Sequence, residues 1–324
     1  MLQFSRFVAL IIFILLQLPS CRKPEKGLSW TAIDSQTPYR ITSITKGHPS
    51  ILYACSGQRY SIGEVIRSQD GGQTWTSLDS VSSKILNDIE YFQDSTGLTV
   101  GYNGKMHRTF DRGTSWQFRQ FHLWLPLYDI EFVNDTLGYI AGARGQKKGT
   151  IMKTNTAGET WTNERFEVGL RCIAFTSTRT GYAAGYGKIL KTTDKGQSWQ
   201  PTPAKGDYYQ DICFPTKRIG YAVGYNGSVI KTTDAGASWQ VVKKGNLPFQ
   251  KRDNLEAVAF VNPNTGYAVG RNGLILKTEN GGKNWIRYAS PDDTDFKTIH
   301  LFNEHRGLVG GNNGWLQKFE EDGI

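Results

Sequence analysis

One octapeptide recurs six times along the chain: SQDGGQTW (68–75), TFDRGTSW (109–116), TNTAGETW (154–161), TTDKGQSW (192–199), TTDAGASW (232–239) and TENGGKNW (278–285). Every copy opens on a hydroxyl, has Gly at its fifth position and closes on Trp. The third position is Asp70, Asp111, Asp194 or Asp234 in four copies, and Thr156 or Asn280 in the other two. Such a string suits a tight turn. A carboxylate accepts backbone N–H bonds inside the turn, Gly supplies a positive φ, and Trp buries a large ring beside it. The Thr156 and Asn280 copies must be held by weaker acceptors. A unit repeated in this way can only bury its apolar faces against its own copies.

The closing tryptophans, Trp75, Trp116, Trp161, Trp199, Trp239 and Trp285, stand 41, 45, 38, 40 and 46 residues apart. That period is one four-stranded blade of a β-propeller. Upstream of each turn sits a strand–turn–strand phrase such as GYAVGYNG (220–227) or GYAVGRNG (266–273), preceded by a further strand of the type YDIEFV (128–133) or DICF (211–214). An apolar strand running into Asn-Gly is a strong hairpin signal. Each blade therefore reads as strand A (D-I-x-F), strand B (GYAVG), strand C (VIKT) and strand D after the Trp. The last phrase, GLVGGNNG (307–314), is followed by WLQKF (315–319) and no seventh octapeptide. LSWTAI (28–33) has the look of a strand D with no blade before it, and Trp30 lies 255 residues ahead of Trp285, which is 42.5 residues over each of six intervals. The expectation is an all-β, seven-bladed propeller over 28–324, with residues 28–34 supplying the outer strand of the last blade. Closure of that kind removes exposed sheet edges.

The first twenty residues are a separate object. Arg6 precedes an apolar run, VALIIFILL (8–16), suited to the core of a secretory signal, and Leu18-Pro19-Ser20-Cys21 ends it. That ending resembles the lipobox of bacterial lipoproteins. The resemblance implies a signal peptide over 1–20, a lipid on Cys21, a tether over 21–27, and export to the bacterial cell envelope. Net charge is +9, which favours acidic partners or anionic surfaces. No nucleic-acid module is recognisable. Cys55, Cys172 and Cys213 read as buried free thiols, and no metal-ligand spacing or cofactor motif is present.

The octapeptide is the Asp-box pattern, similar to the turn of bacterial neuraminidase repeat (BNR) propellers. The longer phrase GYAVGxNGxxxKTxDxGxSW resembles the photosystem II stability/assembly factor-like propellers, over about residues 28–324. For photosynthetic members the resemblance implies a non-catalytic assembly factor that binds a membrane-protein intermediate. What transfers is a membrane-tethered, monomeric scaffold for a protein partner, or for a glycan.

In this topology the D–A and B–C connections share one face and the Asp boxes lie on the other. The D–A/B–C face is the expected binding face, with Trp124, Tyr128, Tyr208, Tyr209, Tyr225, Lys243, Arg252 and Arg271 as its aromatic and cationic candidates. A basic residue recurs at one strand C position in every blade: Arg67, Arg108, Lys153, Lys191, Lys231, Lys277 and Lys318. A contact repeated in all blades reads as packing rather than as a ligand site. The rival reading is a sialidase-like carbohydrate-active enzyme or glycan binder. YRIT (39–42) is similar to the motif that carries the first sialidase arginine, with Thr42 where Pro is expected, and Asp88, Glu90, Asp129 and Glu131 offer carboxylates. The remaining sialidase positions have no counterpart that can be assigned, and the strand A acids read better as backbone acceptors.

Overall fold

The computed structural model describes residues 27–47, 50–121, 123–245 and 253–322. The proposed signal segment, Cys21, nearly all of the tether and Arg252 lie outside them. Among the described residues the strands form seven four-stranded antiparallel sheets. Blade 1 runs Arg40–Lys46, Leu52–Gln58, Ile62–Ser68 and Thr76–Ser82, and blade 6 runs Leu255–Phe260, Gly266–Gly270, Ile275–Thr278 and Ile286–Tyr288. Blade 7 takes Phe296–Leu301, Arg306–Gly311 and Leu316–Glu321 from the end of the chain, and Leu28–Ala32 pairs outside them, with Trp30 opposite Phe319. The ring closes as the repeat phase requires.

Strand A of each blade lies innermost, in contact with strand A of both neighbours. Strand B is the most buried. In blade 5 every residue of Gly220–Gly224 is sealed, because small Ala and Gly positions let flanking blades approach closely. A Cβ on Gly220 would drive into the Phe214 ring, so the first Gly of GYAVG is set by the strand A aromatic lying across it.

The blade interface is one motif copied around the ring. Tyr182 of blade 4 stacks on Phe214 of blade 5 at 4.1 Å, and Trp239 of the blade 5 box meets Phe214 edge-on at 6.2 Å. The same trio recurs as Tyr139, Phe175 and Trp199, and as Tyr221, Phe260 and Trp285. Such offset and edge-on pairs add about 1 kcal/mol each beyond burial. The recurring base completes the contact. Lys191 Nζ and Tyr182 Oη both donate to the Ala235 carbonyl in the next blade's box, each at 2.7 Å. Lys153 donates to the Lys195 carbonyl at 2.6 Å, Lys231 to Gly281 at 2.7 Å and Arg67 to Arg112 at 3.3 Å. Arg108 faces Glu159 of the following box at 3.9 Å. The basic series is thus a blade-to-blade clamp.

The boxes carry the expected chemistry. Asp234 accepts from the Ser238 N–H at 2.8 Å and its hydroxyl at 2.6 Å, and those bonds hold its carboxyl down at about 2. Ala235 and Gly236 both sit at positive φ, 59° and 79°. Asp70, Asp111 and Asp194 make the equivalent bonds. Where Asp is missing, the Thr156 hydroxyl and the Asn280 amide oxygen each accept the corresponding N–H at 2.9 Å. Trp75 and Trp199 are buried, and Trp116, Trp161, Trp239 and Trp285 are half-buried.

Blade 7 has no box for Lys277 to grip. Its ammonium, 1% exposed, instead bonds a carboxylate of that blade, Glu321 Oε2 at 2.7 Å. Tyr288 Oη at 3.1 Å and His305 Nδ1 at 2.8 Å also meet Glu321. This interface is therefore ionic where those of Arg67, Lys153, Lys191 and Lys231 use a carbonyl. Lys318 of blade 7 pairs loosely with Glu320 at 3.7 Å. Cys55, Cys172 and Cys213 are free thiols.

Candidate binding site

Every strand A carries a β-bulge at the same place. The pairing register shifts between Leu86 and Asp88, Leu127 and Asp129, Leu170 and Cys172, Tyr209 and Asp211, Leu255 and Ala257, and equivalently in blades 1 and 7. A bulge places two consecutive residues on one side of a strand. Here that side is the central channel, and the seven extra residues are Thr42, Asn87, Tyr128, Arg171, Gln210, Glu256 and Lys297. Together with Tyr39, Arg40, Arg59, Tyr102 and Asn312 they line a cavity of about 930 Å³ at the D–A/B–C end.

Arg171 is one of the residues in its wall. Its guanidinium lies 4.0 Å over the Tyr128 ring and 5.9 Å from the Tyr208 ring. Tyr208 stacks in turn on Tyr186 at 3.7 Å. The Arg171 Nε is sealed from solvent without an acceptor, and no carboxylate among the described residues forms an ion pair with this side chain. The nearby Glu256 is already shared, by Arg271 Nε at 2.8 Å and Lys297 Nζ at 3.0 Å. Arg271 also lies over Tyr225 at 4.8 Å. Arg40 donates to Asn312 Oδ1 at 2.9 Å. Arg59 caps Tyr102 at 4.9 Å. The wall is rich in cations and aromatic rings, and Asp88, Asp129 and Asp211 line it together with Glu256.

Deeper along the channel lie the strand A acids. Asp88, Asp129 and Asp211 each accept the backbone N–H of a neighbouring blade's strand A, from Ile130 at 2.9 Å, Ile173 at 2.6 Å and Val258 at 2.8 Å. Glu90 and Glu131 do the same to Phe132 at 2.6 Å and Phe175 at 2.7 Å. They tie blades together. Burial raises all five, Glu131 to about 8 and Asp211 to about 6. After burial, the nearby Asp88 charge pushes Asp129 up further. These are the acids a hydrolase reading would need, and their acceptor sites are engaged by backbone.

Of the residues singled out in the sequence, Tyr128 lines this cavity, while Tyr208, Tyr225 and Arg271 adjoin it through Arg171 and Glu256. Trp124 is on the same face, 66% exposed. Tyr209 is corrected: it is fully buried in the core between blades 4 and 5, with its hydroxyl on the Lys205 carbonyl at 3.0 Å, because strand A begins at that residue and turns it inward. Lys243 is tied to the Gly227 carbonyl at 3.0 Å and to Asp253 at 3.3 Å. Arg252 lies outside the described residues. Arg171, Glu256 and Lys297 were not anticipated. The signal that could have found them is the polar or aromatic residue two positions before each strand A Ile or Val, as in Arg171-Cys172-Ile173, Glu256-Ala257-Val258 and Lys297-Thr298-Ile299.

The fold and this mouth define a class: a seven-bladed Asp-box β-propeller with a polar, cation-rich channel entrance. Within it, residues 201–293 match the family described as photosynthesis system II assembly factor YCF48, and the chain resembles that family. The solved structure of YCF48 from Cyanidioschyzon merolae superposes with a TM-score of 0.70 at 17% identity, covering 90% of this chain and 99% of that one. The WD40 β-propeller domain of Doa1 gives 0.69 at 9% identity, covering 91% and 97%. At those identities the likeness establishes the fold alone. A structure described as YCF48 bound to D1 peptide gives 0.44 at 16% identity over 90% and 95% of the two chains, too low to carry any argument about this one. A search of curated protein sequences found no match.

Proposed function

We propose that this chain is a non-catalytic scaffold, lipid-anchored at Cys21 in the bacterial envelope, whose channel mouth receives an acidic group of a protein partner. One observation carries the reading: Arg171 is a charge held between two tyrosines in the wall of an open cavity, without an ion-pair partner among the described residues. A half-enclosed guanidinium is costly to leave unmatched. Its planar donors match a carboxylate, and the tyrosines hold it in place without neutralising it. Arg40, Arg59 and Lys297 add attraction at the rim, and Trp124, Tyr102 and Tyr225 supply the rigid rings from which interface hot spots are built. Of the deeper acids, Asp211 is raised only to about 6, so it keeps a negative charge at neutral pH and opposes an anion that goes further. The match to an assembly-factor family supports a protein as the partner.

The test is Arg171→Met, made beside Arg171→Lys. Capture by crosslinking from detergent-solubilised native membranes should fall roughly tenfold or more in the Met variant, as expected for losing a charged hydrogen bond of about 1.5–3 kcal/mol. The thermal midpoint should hold. Undiminished capture by a folded Arg171→Met protein would remove the mouth from the partner site. Release of a Cys21→Ser chain from the membrane fraction checks the anchor.

A further inference from the structure

The first described residues enter the propeller at one of its two ends. Gly27 accepts from Asp322 N–H at 3.1 Å, and Leu28 pairs with Glu321. Those residues close the strand C end that carries the Asp boxes in the other blades. The cavity is at the opposite end, beside Asn312 and Asn313. Six residue steps separate Cys21 from Gly27, at most about 20 Å of extended chain. Leu316–Glu321 alone spans about 17 Å and the Asn312–Gly314 turn lies beyond it, so a fully extended tether would be used up in reaching the cavity side and leave no length to enter a bilayer there.

The Asp-box face is itself unevenly charged. Arg179 and Lys195 in blade 4, Lys217 and Arg218 in blade 5, and Lys283 in blade 6 are all exposed, and none forms an ion pair with a described residue. Lys231 is lowered by burial and, secondarily, by the like charge of Lys283. The carboxylates on these turns are engaged: Asp194 and Asp234 fold back on their own boxes, and Glu279 bonds Lys277. Blades 2, 3 and 7 present acids on the same face, namely Asp94, Asp135, Glu159 and Glu304. Lys46, Arg112 and Arg306 are also exposed on this face in blades 1, 2 and 7, so what sets blades 4 to 6 apart is several cations with Glu279 as the one exposed acid among the described residues of their turns; blade 6 adjoins the blade that Leu28–Ala32 completes.

We infer that the Asp-box face of blades 4 to 6 rests on an anionic bilayer, holding the channel mouth away from the membrane. The inference takes the lipid at Cys21 from the reading above. The five-cation patch stands independently of it. Each basic residue near an anionic surface contributes roughly fivefold to partitioning, and salt screens the effect.

The test is lysine acylation footprinting of the full chain with vesicles of phosphatidylcholine alone or mixed with phosphatidylglycerol. On anionic vesicles Lys195, Lys217 and Lys283 should label several-fold more slowly, with Lys147 and Lys148 on the cavity face unchanged. A Lys217→Glu/Arg218→Glu variant should lose the protection of Lys195 and Lys283, as should added salt. Equal labelling on both vesicles, or protection of Lys147 and Lys148, overturns the proposal, as does protection by a soluble acidic protein but not by the lipid. Flotation with neutral vesicles, abolished in Cys21→Ser, reads the anchor separately. Protection on anionic vesicles without such flotation would leave the patch standing and remove the anchor.

Discussion

Removing the Glu321 carboxylate probes how the ring is closed. In Glu321→Ala the Lys277 ammonium, 1% exposed, loses its buried counter-charge, and the Tyr288 and His305 bonds go with it. Glu279 remains at 2.8 Å, but that carboxylate is 47% exposed and compensates only in part. Breaking one side of a buried pair costs about 3–5 kcal/mol. At about 2–4 °C per kcal/mol for a chain of this size, the thermal midpoint should drop by roughly 10 °C. Calorimetry and urea titration would measure it. Lys318→Ala is the control, since its pair with Glu320 is 36% and 56% exposed and should be worth under about 1 kcal/mol. A double replacement, Lys277→Met with Glu321→Leu, should recover most of the loss. The pair also has a pH signature. Burial works to raise Glu321, but the Lys277 and His305 bonds prevail and hold it at about 2. A depressed carboxyl contributes stability that is present above its unfolded value, about 4.3, and is lost as pH falls towards about 2. If Glu321→Ala costs no more than Lys318→Ala, the closure does not depend on this carboxylate and the reasoning fails.

Two further outcomes can be checked. Glu131 is raised to about 8, so its contribution is whole below about 4.3 and is lost as pH climbs through 8. Glu131→Gln should flatten that slope and unfold at a higher temperature than wild type at pH 8; an unchanged pH profile would mean that the channel acid is not held protonated. Thr156→Asp gives blade 3 the acceptor that Asp194 provides in blade 4, and should raise the midpoint by about 2 °C. No rise would show that the Thr156 hydroxyl already serves as well.

The architecture was legible because its determinants are local. Asp, Gly and Trp at fixed offsets define a turn within eight residues, and the phase of Trp30 against Trp285 revealed which strand closes the ring. The basic series was rightly read as packing, but for Arg67, Lys153, Lys191 and Lys231 the acceptor is a carbonyl in the next blade's box, about forty to fifty residues away, with no residue type to betray it. The mouth was only partly readable. Tyr128, Tyr208, Tyr225 and Arg271 emerged because their connections could be assigned to a face. Arg171, Glu256 and Lys297 stayed hidden because strict alternation sends them into the blade, and only the bulge turns them to the channel. Tyr209 failed for the complementary reason: one residue of loop or strand decides whether a ring faces solvent or core.

The clamp between blades has a bearing on how such a chain could arise. A unit that carries a Lys–Tyr donor pair on one flank and a box carbonyl on the other fits beside any copy of itself. Duplicating or exchanging such tiles needs no new interface. Only the seam where the two chain ends meet lacks a box, and there the Lys277–Glu321 pair is a custom joint. Drift in blade number should therefore be tolerated everywhere except at that joint.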